Sequence, residues 1–211
     1  MDALIDKMKI PPSLLGKLNE TDINKSTNSE LRNSLEKDGY LFLRNIINPN
    51  EIEAARNDVF KRLNEVNELK EPYKDGISSG KSNRDKMCDN RGDFWESVSS
   101  IKSLRQVTNG KILENVFSKI FGSPSISFDF IFLRAVAGGK FTHMHCDAGF
   151  FTRVTKQIFT CWVAFTEVTF DKGPLFVIEG SHKFKDVQDK YVDFDVDIHK
   201  DKKATIETHP I

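Results

Sequence analysis

Residues 126–136 read ISFDFIFLRAV and residues 157–168 read QIFTCWVAFTEV, and these two runs decide the fold class. The first is dense in β-branched and aromatic residues. The second alternates, with Phe159, Cys161, Val163 and Phe165 on one face and Thr160, Trp162, Ala164 and Thr166 on the other. A period of two marks a strand, whose successive side chains point to opposite faces. Leu175–Ile178 reads as a third, shorter strand after the turn Phe170-Asp171-Lys172-Gly173-Pro174. Toward the amino terminus the pattern is helical. Ile112, Leu113, Val116, Phe117 and Ile120 predict a helix over about 109–120, closed by Gly122-Ser123-Pro124. Asn48-Pro49-Asn50-Glu51 is a helix start, with an Asn cap, Pro at the first position and Glu at the capping-box position. Ile52, Ala55, Val59, Leu63 and Val66 carry that helix to about Asn67. Ser29 is the expected cap of Glu30–Lys37, Gly39 its stop, and Tyr40-Leu41-Phe42-Leu43 a short strand. Helices first and strands afterwards predict an α+β domain with helices packed on a sheet.

Residues 1–28, broken by Pro11-Pro12, are expected to form a loosely ordered arm, and residues 29–211 a single domain. Pro72 to Asp93 is long for a structureless loop, and composition alone suggests that Lys74–Arg91 is a lid. The chain holds 31 Lys+Arg against 31 Asp+Glu, a formal charge of zero. That balance argues against a nucleic-acid or anionic-membrane binder working through bulk electrostatics. At 38% hydrophobic and 29% charged residues, the composition is that of a soluble globular protein. No apolar run approaches the ~20 residues of a membrane span, and Met1 to Ile10 is too polar for a signal-peptide core. Cys88, Cys146 and Cys161 form no disulfide or zinc pattern and suit a reducing, cytoplasmic setting.

The chemistry-bearing residues concentrate in Thr142-His143-Met144-His145-Cys146-Asp147, which holds two of the five histidines. On a strand, His145 and Asp147 share one face because positions i and i+2 do. A neutral imidazole and a carboxylate supply two corners of a facial triad, and a second histidine would complete the set for Fe(II). An H-x-D triple arises by chance roughly 0.4 times in a chain of this composition, so on spacing alone a solvated loop at a strand end is the favoured reading over a metal site.

The surrounding segments add context. Leu35-Glu36-Lys37-Asp38-Gly39-Tyr40-Leu41-Phe42-Leu43 with Asn48-Pro49-Asn50-Glu51-Ile52, then His145-Cys146-Asp147-Ala148-Gly149-Phe150-Phe151, then Cys161-Trp162-Val163-Ala164-Phe165, and last Gly173-Pro174-Leu175-Phe176-Val177-Ile178-Glu179-Gly180-Ser181-His182-Lys183 stand in that order. The ordered set resembles the phytanoyl-CoA dioxygenase (PhyH) family of Fe(II)/2-oxoglutarate-dependent oxygenases, over about residues 30–183. The resemblance implies a double-stranded β-helix (jelly roll, cupin-like) core with amino-terminal helices packed on it. It implies a dioxygenase that takes Fe(II), 2-oxoglutarate and O2, with ascorbate a candidate reductant, and hydroxylates a small organic or acyl substrate with release of succinate and CO2.

Residue by residue, the resemblance makes His145 and Asp147 iron ligands. Trp162 matches a family tryptophan that contacts 2-oxoglutarate, Phe130 another position lining it, Arg134 a basic position near the site, and Lys86 a lysine that reaches the cosubstrate. Each has a plainer alternative: Trp162 and Phe130 as core, Arg134 and Lys86 as solvated charges. His182 is expected to close its own turn rather than bind metal. The carboxylate at Asp147 favours hydroxylation over halogenation, since halogenating relatives carry a small residue there. The family's distal histidine and 2-oxoglutarate arginine find no match: the last arginine is Arg153, and His199 and His209 lie in unlike contexts. The expectation is a chain incomplete at its carboxy terminus and poorly active alone, with a peroxisomal address beyond reading. Two rivals stay open. One is a non-catalytic binding or regulatory jelly roll, and the other a cupin-like metalloenzyme with a different histidine set. Substrate identity and oligomeric state are not encoded in any motif found.

Overall fold

The computed structural model describes residues 3–5, 8–87, 91–133, 142, 145, 147, 155 and 157–191. Seven α-helices lie within them: α1 (Asn28–Asp38), α2 (Pro49–Glu65), α3 (Arg84–Met87), α4 (Arg91–Ser99), α5 (Lys102–Thr108), α6 (Lys111–Phe121) and α7 (Lys185–Tyr191). Helix α1 begins two residues earlier than the Ser29 cap predicts. Thr27 is the cap: its hydroxyl accepts from the Glu30 N–H, and the Glu30 carboxylate accepts from the Thr27 N–H at 2.7 Å. This reciprocal box satisfies two donors that a helix start otherwise leaves open. At the other end Gly39 takes the left-handed conformation, φ +82°. Helix α2 starts as the sequence predicts, with Asn48 accepting from the Asn50 N–H at 2.9 Å and Pro49 in the first turn.

Two apolar clusters hold these helices together. Val59, Leu63 and Val66 from α2 and its end pack with Phe94 and Val98 of α4 and Leu104 of α5, and Ile131, Leu133 and Phe165 cover this cluster. Leu31 of α1 packs with Val116 and Ile120 of α6 and with Ile23, which draws the polar stretch before α1 onto the body. The Thr21 N–H donates to the Phe42 carbonyl at 2.8 Å, beside a parallel bridge between Glu20 and Phe42. Fully burying a Leu or Phe side chain is worth about 1.5–3 kcal/mol, so these clusters hold the helical half. Ahead of them, β1 (Ala3–Ile5) and β2 (Met8–Ile10) form an antiparallel hairpin.

Two features differ from the sequence reading. Helices α4 and α5 occupy Ser-rich sequence where none was predicted. Their buried residues Phe94 and Val98, Leu104 and Val107 repeat every three or four positions, and tertiary burial stabilises what propensity alone would not. The strands expected over 126–136, 157–168 and 175–178 show no ladder among the described residues, where β1–β2 is the one sheet. Strand character in a sequence is completed only by a partner, and residues 134–136, the end of the first run, lie outside the described residues, as do 137–141 and 148–154 between the first two runs. One strand property survives: Ile131 and Leu133 face the first cluster, while Phe128, Phe130 and Phe132 are exposed. Among the described residues no helix is long and apolar enough to cross a membrane.

Candidate metal centre

The chain approaches the site from α5 and α6, whose polar side chains secure the segment that carries Phe130. Asn109, just after α5, donates to the Ser127 hydroxyl at 2.9 Å and to the Phe128 carbonyl at 3.0 Å. Ser125, buried against α6, donates to the Glu114 carbonyl at 2.7 Å, while its N–H donates to the Ser118 hydroxyl. Arg105 reaches Asp129 at 3.2 Å, but Asp129 is fully exposed, so this pair contributes little. Two backbone-directed tethers and the burial of Ile131 and Leu133 therefore set which face of residues 125–133 turns outward.

His145 and Asp147 meet. His145 Nε2 stands 3.4 Å from Asp147 Oδ1, with side chains 40% and 41% exposed. Two ligands at ~2.1 Å from a metal and at right angles to each other are about 3.0 Å apart, so the observed separation lies within a few tenths of an ångström of a chelating pair. A borderline imidazole nitrogen beside a hard carboxylate oxygen also suits Fe(II). The donor set thus fits a divalent iron at two positions. Among the described residues no third His, Cys, Asp or Glu joins them.

The remaining site residues are placed as follows. Phe130 is 61% exposed, with its ring edge-on to Phe132 at 4.7 Å, and Trp162 is 54% exposed, so neither is core. Lys86 lies exposed on α3. Arg134, His199 and His209 lie outside the described residues. Among the described members of the expected set, His145 and Asp147 are in contact.

His182 has a structural task, though at longer range than closing its own turn. Its Nε2 pairs with the Glu36 carbonyl at 2.8 Å, and Lys183 Nζ donates to the Lys37 carbonyl at 3.1 Å. Both partners are last-turn carbonyls of α1, groups that helix geometry leaves open and that favour positive or N–H donors. Gln188 of α7 in turn donates to the His182 carbonyl.

The lid expectation also needs correction across most of its length. Residues 67–83 fold back on the end of α2. The Lys70 N–H donates to Ile77, the Ser79 N–H to Glu68 and the Asn83 N–H to Val66, each at 2.8 Å, beside an antiparallel bridge between Leu69 and Ser78. Side chains add to the ties: Ser79 Oγ donates to the Asn67 carbonyl at 2.5 Å and Ser82 Oγ to Glu68 Oε1 at 2.7 Å. Composition shows polar residues but not where their hydrogen bonds go, so this stapled segment looked mobile in the sequence.

A helical front, an aromatic segment tethered to it and a His145–Asp147 contact make up the described surroundings of the site. The profile of the phytanoyl-CoA dioxygenase (PhyH) family matches residues 35–211, and the chain belongs to that family. Its members are typically dioxygenases of cupin-like jelly-roll fold that generally use Fe(II) and 2-oxoglutarate. No curated protein and no solved structure matches.

Proposed function

We propose that the chain is a non-haem Fe(II)/2-oxoglutarate-dependent dioxygenase that hydroxylates a small organic or acyl substrate, on a jelly roll built from the runs at 126–136, 157–168 and 175–178. The observation that carries this reading is the 3.4 Å His145–Asp147 pair inside a segment that the family profile covers. Iron with 2-oxoglutarate and O2 supplies the oxidising power for hydroxylating a C–H bond, with release of succinate and CO2. The protein's residues hold and orient the reactants. His145 would offer an imidazole nitrogen and Asp147 a carboxylate oxygen to the metal. Lys86 provides a cation for a 2-oxoglutarate carboxylate, Arg134 a second positive charge near the site, and Phe130 and Trp162 an apolar wall that excludes water.

An anaerobic titration with Fe(II) and 2-oxoglutarate tests the reading. The expected result is a visible metal-to-ligand charge-transfer band that is lost in His145→Ala and Asp147→Ala. Absence of the band in folded wild-type protein overturns it. One observation favours a second reading, a non-catalytic binding or regulatory protein: among the described residues the pair has no third ligand. That reading expects a folded chain in which 2-oxoglutarate binding is independent of iron.

A further inference from the structure

Arg84 has its guanidinium 4.2 Å from the centroid of Trp95 and 4.6 Å from that of Phe94, both on α4. Its Nη2 donates to Glu68 Oε2 at 2.5 Å. Its Nε comes as near to Oε1 but off the hydrogen-bond line, a charge contact that leaves this N–H without an aligned acceptor. The two side chains are 18% and 16% exposed, so the pair is held largely out of water. Glu68 is further held by the Ser82 hydroxyl. A planar guanidinium suits both tasks, stacking on rings while its edge meets a carboxylate, which a lysine ammonium does not reproduce.

Arg84 is also the first residue of α3, which has only four residues and lies two positions before Lys86. One turn of helix is not stable by itself, because nucleation orders several residues for a single hydrogen bond. Helix α3 therefore depends on what anchors it. Its anchors on the described side include the Asn83 N–H on the Val66 carbonyl at 2.8 Å, the Arg84 N–H on the Ser82 hydroxyl at 3.3 Å and the Arg84 clamp joining Glu68 to α4. We infer that the Glu68–Arg84–Trp95 clamp is a positioning element, fixing α3 so that the Lys86 ammonium is presented to a carboxylate of 2-oxoglutarate. The inference rests on the cosubstrate role proposed above for Lys86, and assigns Arg84 no contact with the cosubstrate itself.

The test is a double-mutant cycle read by equilibrium dialysis of labelled 2-oxoglutarate against the Fe(II)-loaded chain under anaerobic conditions. A charge-assisted hydrogen bond corresponds to about tenfold in affinity. Lys86→Ala is expected to weaken binding about tenfold, and Arg84→Met, which keeps apolar bulk over the rings, to weaken it comparably. The double variant is expected to bind no worse than Lys86→Ala, because nothing is left to position, and Arg84→Lys to recover part of the loss. Weakening by Lys86→Ala with wild-type affinity in Arg84→Met, or losses that multiply to about a hundredfold, overturns the clamp while the Lys86 role stands. Unchanged affinity in Lys86→Ala overturns that role, and the clamp's function with it. Glu68→Gln, which keeps the side chain's shape, decides the matter by the same comparison if Arg84→Met does not fold.

Discussion

Replacing Gly39 with alanine probes the tie between the two ends of the described chain. Gly39 sits at φ +82°, and an added Cβ would fall 2.8 Å from Cγ and 2.9 Å from Cε1 of the His182 ring. Two costs follow. The left-handed conformation costs a non-glycine residue about 1–2 kcal/mol. Displacing the ring breaks the His182–Glu36 hydrogen bond, worth about 0.5–1.5 kcal/mol. The expected loss in Gly39→Ala is therefore about 2–3 kcal/mol, read as a lower urea midpoint with unchanged slope. His182→Ala alone should cost about 1 kcal/mol. In the double variant the overlap is gone and the hydrogen bond is already lost, so Gly39→Ala should add only its backbone strain. The cycle thus has a coupling of about 1 kcal/mol, above the scatter expected of independent sites. Strict additivity, or a neutral Gly39→Ala, would refute the docking of His182 on the end of α1.

Further predictions concern the helical half. Leu31→Ala, at a site with no exposure, should cost about 2–5 kcal/mol in denaturant titration, and a cost below about 1 kcal/mol contradicts its place in the second cluster. Ser125→Ala removes the hydroxyl's bonds to the Glu114 carbonyl and the Ser118 hydroxyl while keeping the backbone N–H bond to Ser118, and should cost about 0.5–1.5 kcal/mol by the same assay. The Thr27 N–H and hydroxyl hold the Glu30 carboxyl below its ordinary value of 4.5. A carboxyl depressed on folding adds stability that is present above that ordinary value and lost as pH falls through the lowered one. Melting temperatures of the wild type and Glu30→Gln should therefore differ at pH 6 and converge in acid. A gap that persists in acid would show that the cap does not act through ionisation.

Sequence and structure agree where a local rule decides. Helices α2 and α6 and the Gly39 stop follow from caps, spacing and one glycine, all signals within a single element. The cap of α1 was misplaced because Thr27 and Ser29 both suit the role, and only the Glu30 partner three residues on separates them. Helices α4 and α5 went unread because their serines mask the spacing from Phe94 to Val107. In the candidate site, the closeness of His145 and Asp147 follows from a spacing of two residues, which keeps their side chains within reach of each other. Glu68 and Arg84 were not legible: sixteen residues separate them, no periodicity joins them, and the pair is defined by two rings on another helix. His182 could be recognised as structural, but no local rule identifies a partner 146 residues away.

That separation also bears on synthesis. Helix α1 leaves the ribosome early, and its Gly39 N–H closes on the Leu35 carbonyl at once, since both are local. The Glu36 and Lys37 carbonyls must wait for His182 and Lys183. At about 5–20 residues per second, translation of the intervening 146 residues takes roughly 7–30 s. Throughout that interval the nascent helix has an unfinished end, so its last turn should exchange amide hydrogens quickly in ribosome-stalled chains that stop short of residue 182. Protection should rise once the Gly-Ser-His-Lys turn emerges, making completion of an early helix a late event in the birth of the molecule.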